Sequence, residues 1–498
     1  MDHVTERPLS GKWTRTVSVL AIGTLLSVPG IAQQVQPQPS PTATGAAAPA
    51  AGAKQAAVLP VLSPEQREAL PTMLMEARFA HGLVAEAGGG TPIPSDNDGL
   101  VRAALDFAKA VHSGRLAPED FQSDWGLRPA AYDPLPGFAD AVKQDRLAQW
   151  IERLPPPYSG YDGLKAGLDT YRRIAAAGGW QALAAGPDLG PGATGAAVSA
   201  LRKRLAIEDP EVVPTGDQFD AELQAAVQRA QRRYGLNPTG TVSTQTRAAL
   251  NVKVADRVHQ IMANMERWRW LPQEMPVNRI QVNIASAQLA VFEGDQPVAS
   301  MKAVTGAPGG RETPMLSSRI HSIVLNPPWN VPAGIAAKEL FPKGSAYLAA
   351  NGFKVIGEGA NRRLQQQAGP RSALGRYKFD FDNPFAVYLH DTPSQSTFSR
   401  FDRLASHGCV RLEKPAALAR LLLRDDPDWS PDRIQSTVDS AKTVRVALKQ
   451  QVAVYLLYWT SYASASGTMS FRSDPYGWDK VLAAKVEKRS ATKTLAAR

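Results

Sequence analysis

Two hydrophobic periods divide this chain. From Ser63 to about Gly178 apolar residues recur at helical spacing, as in Leu100–Phe107, Leu147–Leu154 and Tyr161–Ala177. Ser63-Pro64-Glu65-Gln66 supplies a cap, a first-turn proline and an acid, and predicts a helix start. Residues 189–251 read as a compact unit. One helix carries Val198, Leu201 and Leu205 on a face, a second runs from Phe219-Asp220 through Val227, Gln231 and Tyr234, and a short third covers Thr246–Leu250. From Val277 the period becomes two: Ile280–Ile284, Gln288–Phe292, Val298–Val304, Arg319–Leu325 and Ala386–His390 predict strands. Thr443–Leu448, Val452–Tyr462 and Met469–Phe471 read as a hairpin set around Gly467.

The pattern predicts a multidomain α+β chain. A helical region spans 62–185, a three-helix unit 186–252, and a mostly β region 262–479, with an insertion at 333–375 and a basic tail at 480–498. The insertion is punctuated by Gly334, Gly344, Gly352, Gly357 and Gly359. Excursions of that length tend to be functional or mobile. At the other end, Arg7, Lys12 and Arg15 precede an apolar run, Val17–Val28, and small residues at Gly30 and Ala32. That order predicts a cleaved export signal over 1–32, with an uncleaved membrane anchor as the alternative. The run is shorter than the ~20 residues a spanning helix needs. Residues 33–61, rich in Ala, Pro, Gln and Thr, read as a disordered linker.

Composition adds little until charge and cysteine are counted. The net charge is +10 and 44% of residues are hydrophobic. Half of the excess charge lies after Trp478, in a run without aromatic residues, so a solvated tail is expected and nucleic acid is not an expected partner. A single cysteine, Cys409, excludes an internal disulfide. In an exported chain a lone thiol is inert and buried, or it has a chemical role.

Its neighbours favour the role. Ser406-His407-Gly408-Cys409-Val410-Arg411 follows a loop that begins at His390-Asp391, so two of the seven histidines lie within nineteen residues before the thiol. A free thiol titrates near 8.5 and needs an adjacent base. Gly408 lets backbone N–H groups approach a carbonyl oxygen. His390, His407 and Cys409 make a conceivable zinc set, but no second cysteine, HExxH pair or array of acids accompanies them, and no metal or cofactor is expected. His81 and His112 lie singly on helical patterns and read as satisfied or exposed side chains.

These strings resemble the L,D-transpeptidases with a YkuD-type catalytic domain. Met262–Pro272, Arg311-Glu312-Thr313-Pro314, Asn326–Pro332, Gly369–Gly375 and Tyr388–Pro393 resemble the large periplasmic YcbB-like branch, over about residues 62–479. Residues 189–251 resemble the peptidoglycan-binding type 1 domain, with Ala230 where that family has a bulky aromatic. The resemblance implies Cys409 as nucleophile, His390 as its base, and the Asp391 carbonyl as the group orienting His390. It implies backbone N–H groups of Gly408 and Cys409 as the oxyanion hole, with His407 as a further donor or brace. Trp329 and Tyr388 would line the substrate channel, Arg411 would attract a carboxylate or form a structural pair, and Ser406 would support the loop. The helical region would be a scaffold and residues 333–375 a cap.

The implied activity is periplasmic 3→3 cross-linking of peptidoglycan stem peptides through a cysteine thioester, with release of D-alanine. Capture of the thioester by water or a free D-amino acid, and a non-catalytic wall-binding role, are the alternatives. Implied partners are peptidoglycan stems and glycan, wall-synthesis enzymes, and carbapenem-type β-lactams as inhibitors.

Overall fold

The structure, a computed structural model, describes residues 58–84, 89–464 and 466–496. The expected export signal and nearly all of the linker lie outside them. Helix α1 (Pro64–Ala80) begins where Ser63 accepts the Gln66 N–H and the Gln66 side chain accepts the Ser63 N–H, a reciprocal cap. With α2 (Asn97–Ser113), α3 (Leu135–Lys143) and α4 (Leu147–Arg153) it encloses a core of Leu70, Leu74, Leu100, Phe107, Val111 and Phe138. His112 stacks on Tyr132 with centroids 3.7 Å apart. Helix α5 (Ser159–Ala176) faces the other way, toward the next units.

Helices α6 (Ala196–Ala206), α7 (Ala221–Arg233) and α8 (Thr244–Leu250) form the three-helix unit. Asp220 and Ser243 cap the second and third of these. Helix α9 (Val254–Trp268) ties the units together. Its Glu266 is wholly buried and held by Arg115 and Arg269, and Arg269 also bonds the hydroxyl of Tyr161 at 3.1 Å. That hydroxyl lies 3.1 Å from Nδ1 of buried His81. A buried carboxylate is tolerated only with this degree of pairing.

The β region contains β1 (Asn278–Asn283), β2 (Gln288–Glu293), β3 (Gln296–Gly306), β4 (Leu316–Leu325), β5 (Trp329–Asn330), β6 (Phe353–Ile356), β7 (Arg363–Gln366), β8 (Tyr377–Phe381), β9 (Leu389–His390), β10 (Leu404–Ser406), β11 (Val410–Leu412) and β12 (Val444–Leu457). Nine of them make one sheet in the order β10-β3-β11-β9-β8-β4-β12-β1-β2, and β2 also pairs with β3, so the ladder returns on itself. Alternating residues fill its inside, among them Ile280, Val282, Ile320, Phe379, Leu389, Val410 and Leu412. Two helices, Pro415–Leu423 and Pro431–Asp439, follow β11.

The expected hairpin set is different in detail. Thr443–Leu448 and the first part of Val452–Tyr462 are one strand, β12, with a register shift between Ala447 and Val452 as it pairs with β4. A bulge, not a turn, separates them. The hairpin around Gly467 is formed by Ser461–Ala463 and Met469–Phe471 alone.

The charge run at the end also departs from expectation. Residues Trp478–Ala496 are a helix, not a solvated tail. Trp478, Leu482 and Val486 are buried at four-residue spacing, and Arg489 pairs with Glu119 and Asp120 of the helical region. No helix among the described residues is long and apolar enough to cross a membrane.

The insertion folds as a small unit. A turn of α-helix (Ala333–Ile335), a π turn (Ala336–Leu340) and a helix (Gly344–Ala350) pack on a three-stranded sheet, β5-β7-β6. Val331, Ala336, Leu340, Leu348 and Leu364 give it a core of its own.

Candidate active site

Strands β9 and β11 run parallel and adjacent, with Arg411 opposite His390 and Val410 opposite Leu389. The Val410 N–H bonds the Tyr388 carbonyl at 3.1 Å. This register sets Cys409, one residue before β11, beside the strand that ends in His390. The thiol is free and half-buried. It has no hydrogen bond to His390 among the described residues; its polar neighbour is Tyr388, whose hydroxyl meets both the thiol and Trp329.

His390 is buried, and its Nδ1 lies 2.5 Å from the Asp391 carbonyl oxygen. A carbonyl only accepts, so Nδ1 carries the proton and Nε2 keeps its lone pair. Burial, then the nearby charge of Arg411, depresses the imidazole pKa to about 3. The ring is therefore a neutral base. Burial also pushes the Cys409 thiol above its ordinary range, while interactions with Tyr388, Lys378 and Arg411 pull against it. The resting pair is a neutral thiol and a neutral imidazole. Tyr388 stands edge-on to His390 at 5.5 Å, with the Lys378 ammonium 4.3 Å above its own ring.

Asp391 has two jobs in the local structure. Its carbonyl receives His390, and its carboxylate accepts the N–H groups of Arg376 and Thr392, each at 2.7 Å. A Cβ on Gly375 would come within 2.3 Å of that carboxylate, which is why a glycine with φ +59° closes the insertion here.

The Gly408–Cys409 turn revises the expected donor set. The Gly408 N–H donates to Ser406 Oγ at 3.2 Å, so it is not free for an oxyanion. Ser406 in turn donates to the Cys409 carbonyl at 2.6 Å and is buried, which removes it from the substrate face. The Gly408 carbonyl receives the Thr313 hydroxyl at 2.8 Å. Among the described residues the Cys409 N–H, of the polar backbone groups in these two residues, is the one with no hydrogen-bond partner. The His407 side chain is engaged by the insertion: its Nε2 pairs with Glu339 at 2.7 Å. Arg411 is half-buried and forms no ion pair among the described residues; it acts on Cys409 and His390 by its charge. Trp329, on β5, lies half-buried with its ring centroid 6.3 Å from that of Phe353. Among the described residues no three His, Cys, Asp or Glu side chains gather as metal ligands.

Residues 277–438 match the family model of the YkuD L,D-transpeptidase catalytic domain. That segment is similar in sequence to an L,D-transpeptidase catalytic domain. The Cys409 loop, β9 and the insertion all fall inside the matched segment. Residues 194–250 match the family described as "Putative peptidoglycan binding domain", and residues 99–168 match a scaffold domain. A Haemophilus influenzae protein named "Putative L,D-transpeptidase" is 31% identical over 248 residues, covering 46% of this chain and 50% of that protein. The chain thus spans about half the length of the curated relative it matches. Among solved structures, the L,D-transpeptidase (residues 123–326) of Xylanimonas cellulosilytica is 19% identical, over 55% of this chain and 99% of that one, with a TM-score of 0.19. The catalytic domain of the E. faecium L,D-transpeptidase acylated by ertapenem is 12% identical, over 37% and 99%, with a TM-score of 0.20.

Thr313, Tyr476, Glu339 and Lys378 are site residues that sequence reasoning did not single out. Thr313 had a signal, since it sits in the Arg311–Pro314 string. Tyr476 had none.

Proposed function

We propose that the protein is an L,D-transpeptidase that makes 3→3 cross-links in peptidoglycan outside the cytoplasmic membrane. The observation that carries this reading is the tautomer of His390. With Nδ1–H committed to the Asp391 carbonyl, Nε2 is the ring's only acceptor, on the strand beside Cys409.

The thiol stays protonated until substrate arrives. Attack on the carbonyl of the third stem residue forms the S–C bond as the thiol proton passes to His390 Nε2. The carbonyl electron pair moves onto oxygen, where the Cys409 N–H stabilises it. Collapse breaks the C–N bond, and His390 returns the proton to the departing D-alanine amine. The side-chain amine of a second stem then attacks the thioester, passes its proton to His390, and releases the thiol. Peptide-bond energy is kept in the thioester, so no cofactor enters the scheme.

The Arg411 guanidinium, which has no ion pair among the described residues, would receive a stem carboxylate, and Trp329 and Tyr388 would flank the peptide. The insertion would cap the channel, through its contact with His407. Residues 194–250 would hold the enzyme on glycan. Carbapenems would acylate Cys409, because their strained carbonyl presents the same electrophile.

Purified tetrapeptide muropeptides test the reading. The wild type should release D-alanine and yield a dimer joined through third residues, and Cys409→Ala should do neither. D-alanine release with tripeptide as the sole product would assign water as the acceptor; release retained in Cys409→Ala would overturn the mechanism.

A further inference from the structure

The trans peptide between Gly408 and Cys409 is one rigid plane. Its C=O and N–H point in opposite directions, so whatever holds the carbonyl also aims the N–H. The carbonyl is held by Thr313 Oγ1 at 2.8 Å, and Thr313 is fully buried. A hydroxyl has one proton. With that proton given to Gly408, Thr313 must accept the Gly306 N–H, and it does, also at 2.8 Å. Thr313 is fixed from behind. Its own N–H bonds the Tyr476 hydroxyl at 3.2 Å, and that hydroxyl donates to the Gly306 carbonyl at 2.6 Å. Gly306 admits this approach because a Cβ there would lie 2.0 Å from the Arg311 carbonyl oxygen. Three segments far apart in sequence therefore meet behind one peptide plane, and Tyr476 lies outside the matched catalytic segment 277–438.

We propose that Thr313, secured by Tyr476, is a positioning residue that points the Cys409 N–H at the oxyanion. This rests on the acyl-transfer reading above. It assigns to Thr313 an effect on the step in which negative charge develops on oxygen. Simple displacement at the sulfur, which builds no oxyanion, should be indifferent to it.

That contrast supplies the test. The full chain is treated separately with imipenem, an acylating agent, and iodoacetamide, an alkylating agent, and adduct formation on Cys409 is timed by mass spectrometry. Thr313→Val should slow acylation by about 100-fold, the scale of losing one oxyanion donor, with alkylation unchanged. Thr313→Ser should restore acylation close to the wild-type rate. Tyr476→Phe should slow acylation less, again without touching alkylation, and it carries the same comparison if Thr313→Val does not fold. Acylation of Thr313→Val at the wild-type rate, or acylation and alkylation falling together, would overturn the assignment. A wild type that is alkylated but never acylated would instead overturn the acyl-transfer reading, and the positioning role with it.

Discussion

Around Gly408 and Cys409, three of four backbone polar groups are tied to Ser406 or Thr313, both buried. The insertion of residues 333–375 meets the same loop through Glu339 and His407, whose side chains are 41% and 31% exposed. The first region is over-determined: moving one group breaks several bonds. The second has its own core and a solvent-screened His407–Glu339 hydrogen bond, and exposed pairs of this sort are worth about 0–1 kcal/mol. The difference teaches how one loop can be fixed by buried bonds on one side while meeting its neighbour through a solvent-exposed contact on the other. The tighter network lies in the sheet-borne loop, and the weaker contact lies between it and the insertion.

The comparison breaks hardest at Gly306. An added methyl would meet the Arg311 carbonyl at 2.0 Å and the Thr313 nitrogen at 2.6 Å, backbone atoms that cannot step aside. Gly306→Ala should cost at least the ~1–3 kcal/mol typical of overpacking and leave Cys409 acylation severely impaired. A melting curve and an imipenem acylation rate both like the wild type would show that the loop is less constrained than its contacts indicate.

Acid should separate the tighter network from the weaker contact next. His390 and His81, each buried and each held to a pKa of about 3, take up protons near 6.5 once unfolded. Between those values the unfolded state binds more protons, so stability must fall as pH drops from about 6.5 toward 3 and stay level, for these groups, above 6.5. Chemical denaturation across that range checks the sign. In His390→Gln the acid slope should become shallower; an unchanged slope would mean that the imidazole is not held neutral.

The smallest effect belongs to the insertion. Glu339→Gln removes a screened pair, so hydrogen exchange in β6 and β7 should quicken by no more than about five-fold, with none in β9 to β11. Exchange that quickens equally in both regions would erase the distinction between them.

Much of this was legible in the sequence. The change of period from helical to alternating marks where the sheet begins, and the two histidines shortly before the one cysteine point to the reactive loop. The Ser63 cap and the three short helices of residues 189–251 follow from local residue choice. What escaped did so for physical reasons. Tyr476 reaches Thr313 and Gly306 across 163 and 170 positions of sequence, a contact that only the closed sheet creates. The Gly408 N–H was an attractive oxyanion donor until Ser406, two residues earlier, claimed it. The basic C-terminal run concealed Trp478, Leu482 and Val486, a stripe at four-residue spacing that makes it a docked helix. His407 was read with the cysteine because it is near in sequence, whereas its partner sits 68 residues away in the insertion.

The central claim is that Cys409 carries the acyl group, and intact-mass measurement of the full chain after mixing with a tetrapeptide stem tests it most directly. The account predicts one adduct, equal to the stem less D-alanine, that maps to Cys409 on digestion and disappears when an amine acceptor is supplied. Turnover of the tetrapeptide with no adduct under rapid quench, or an adduct on any other residue, would contradict it.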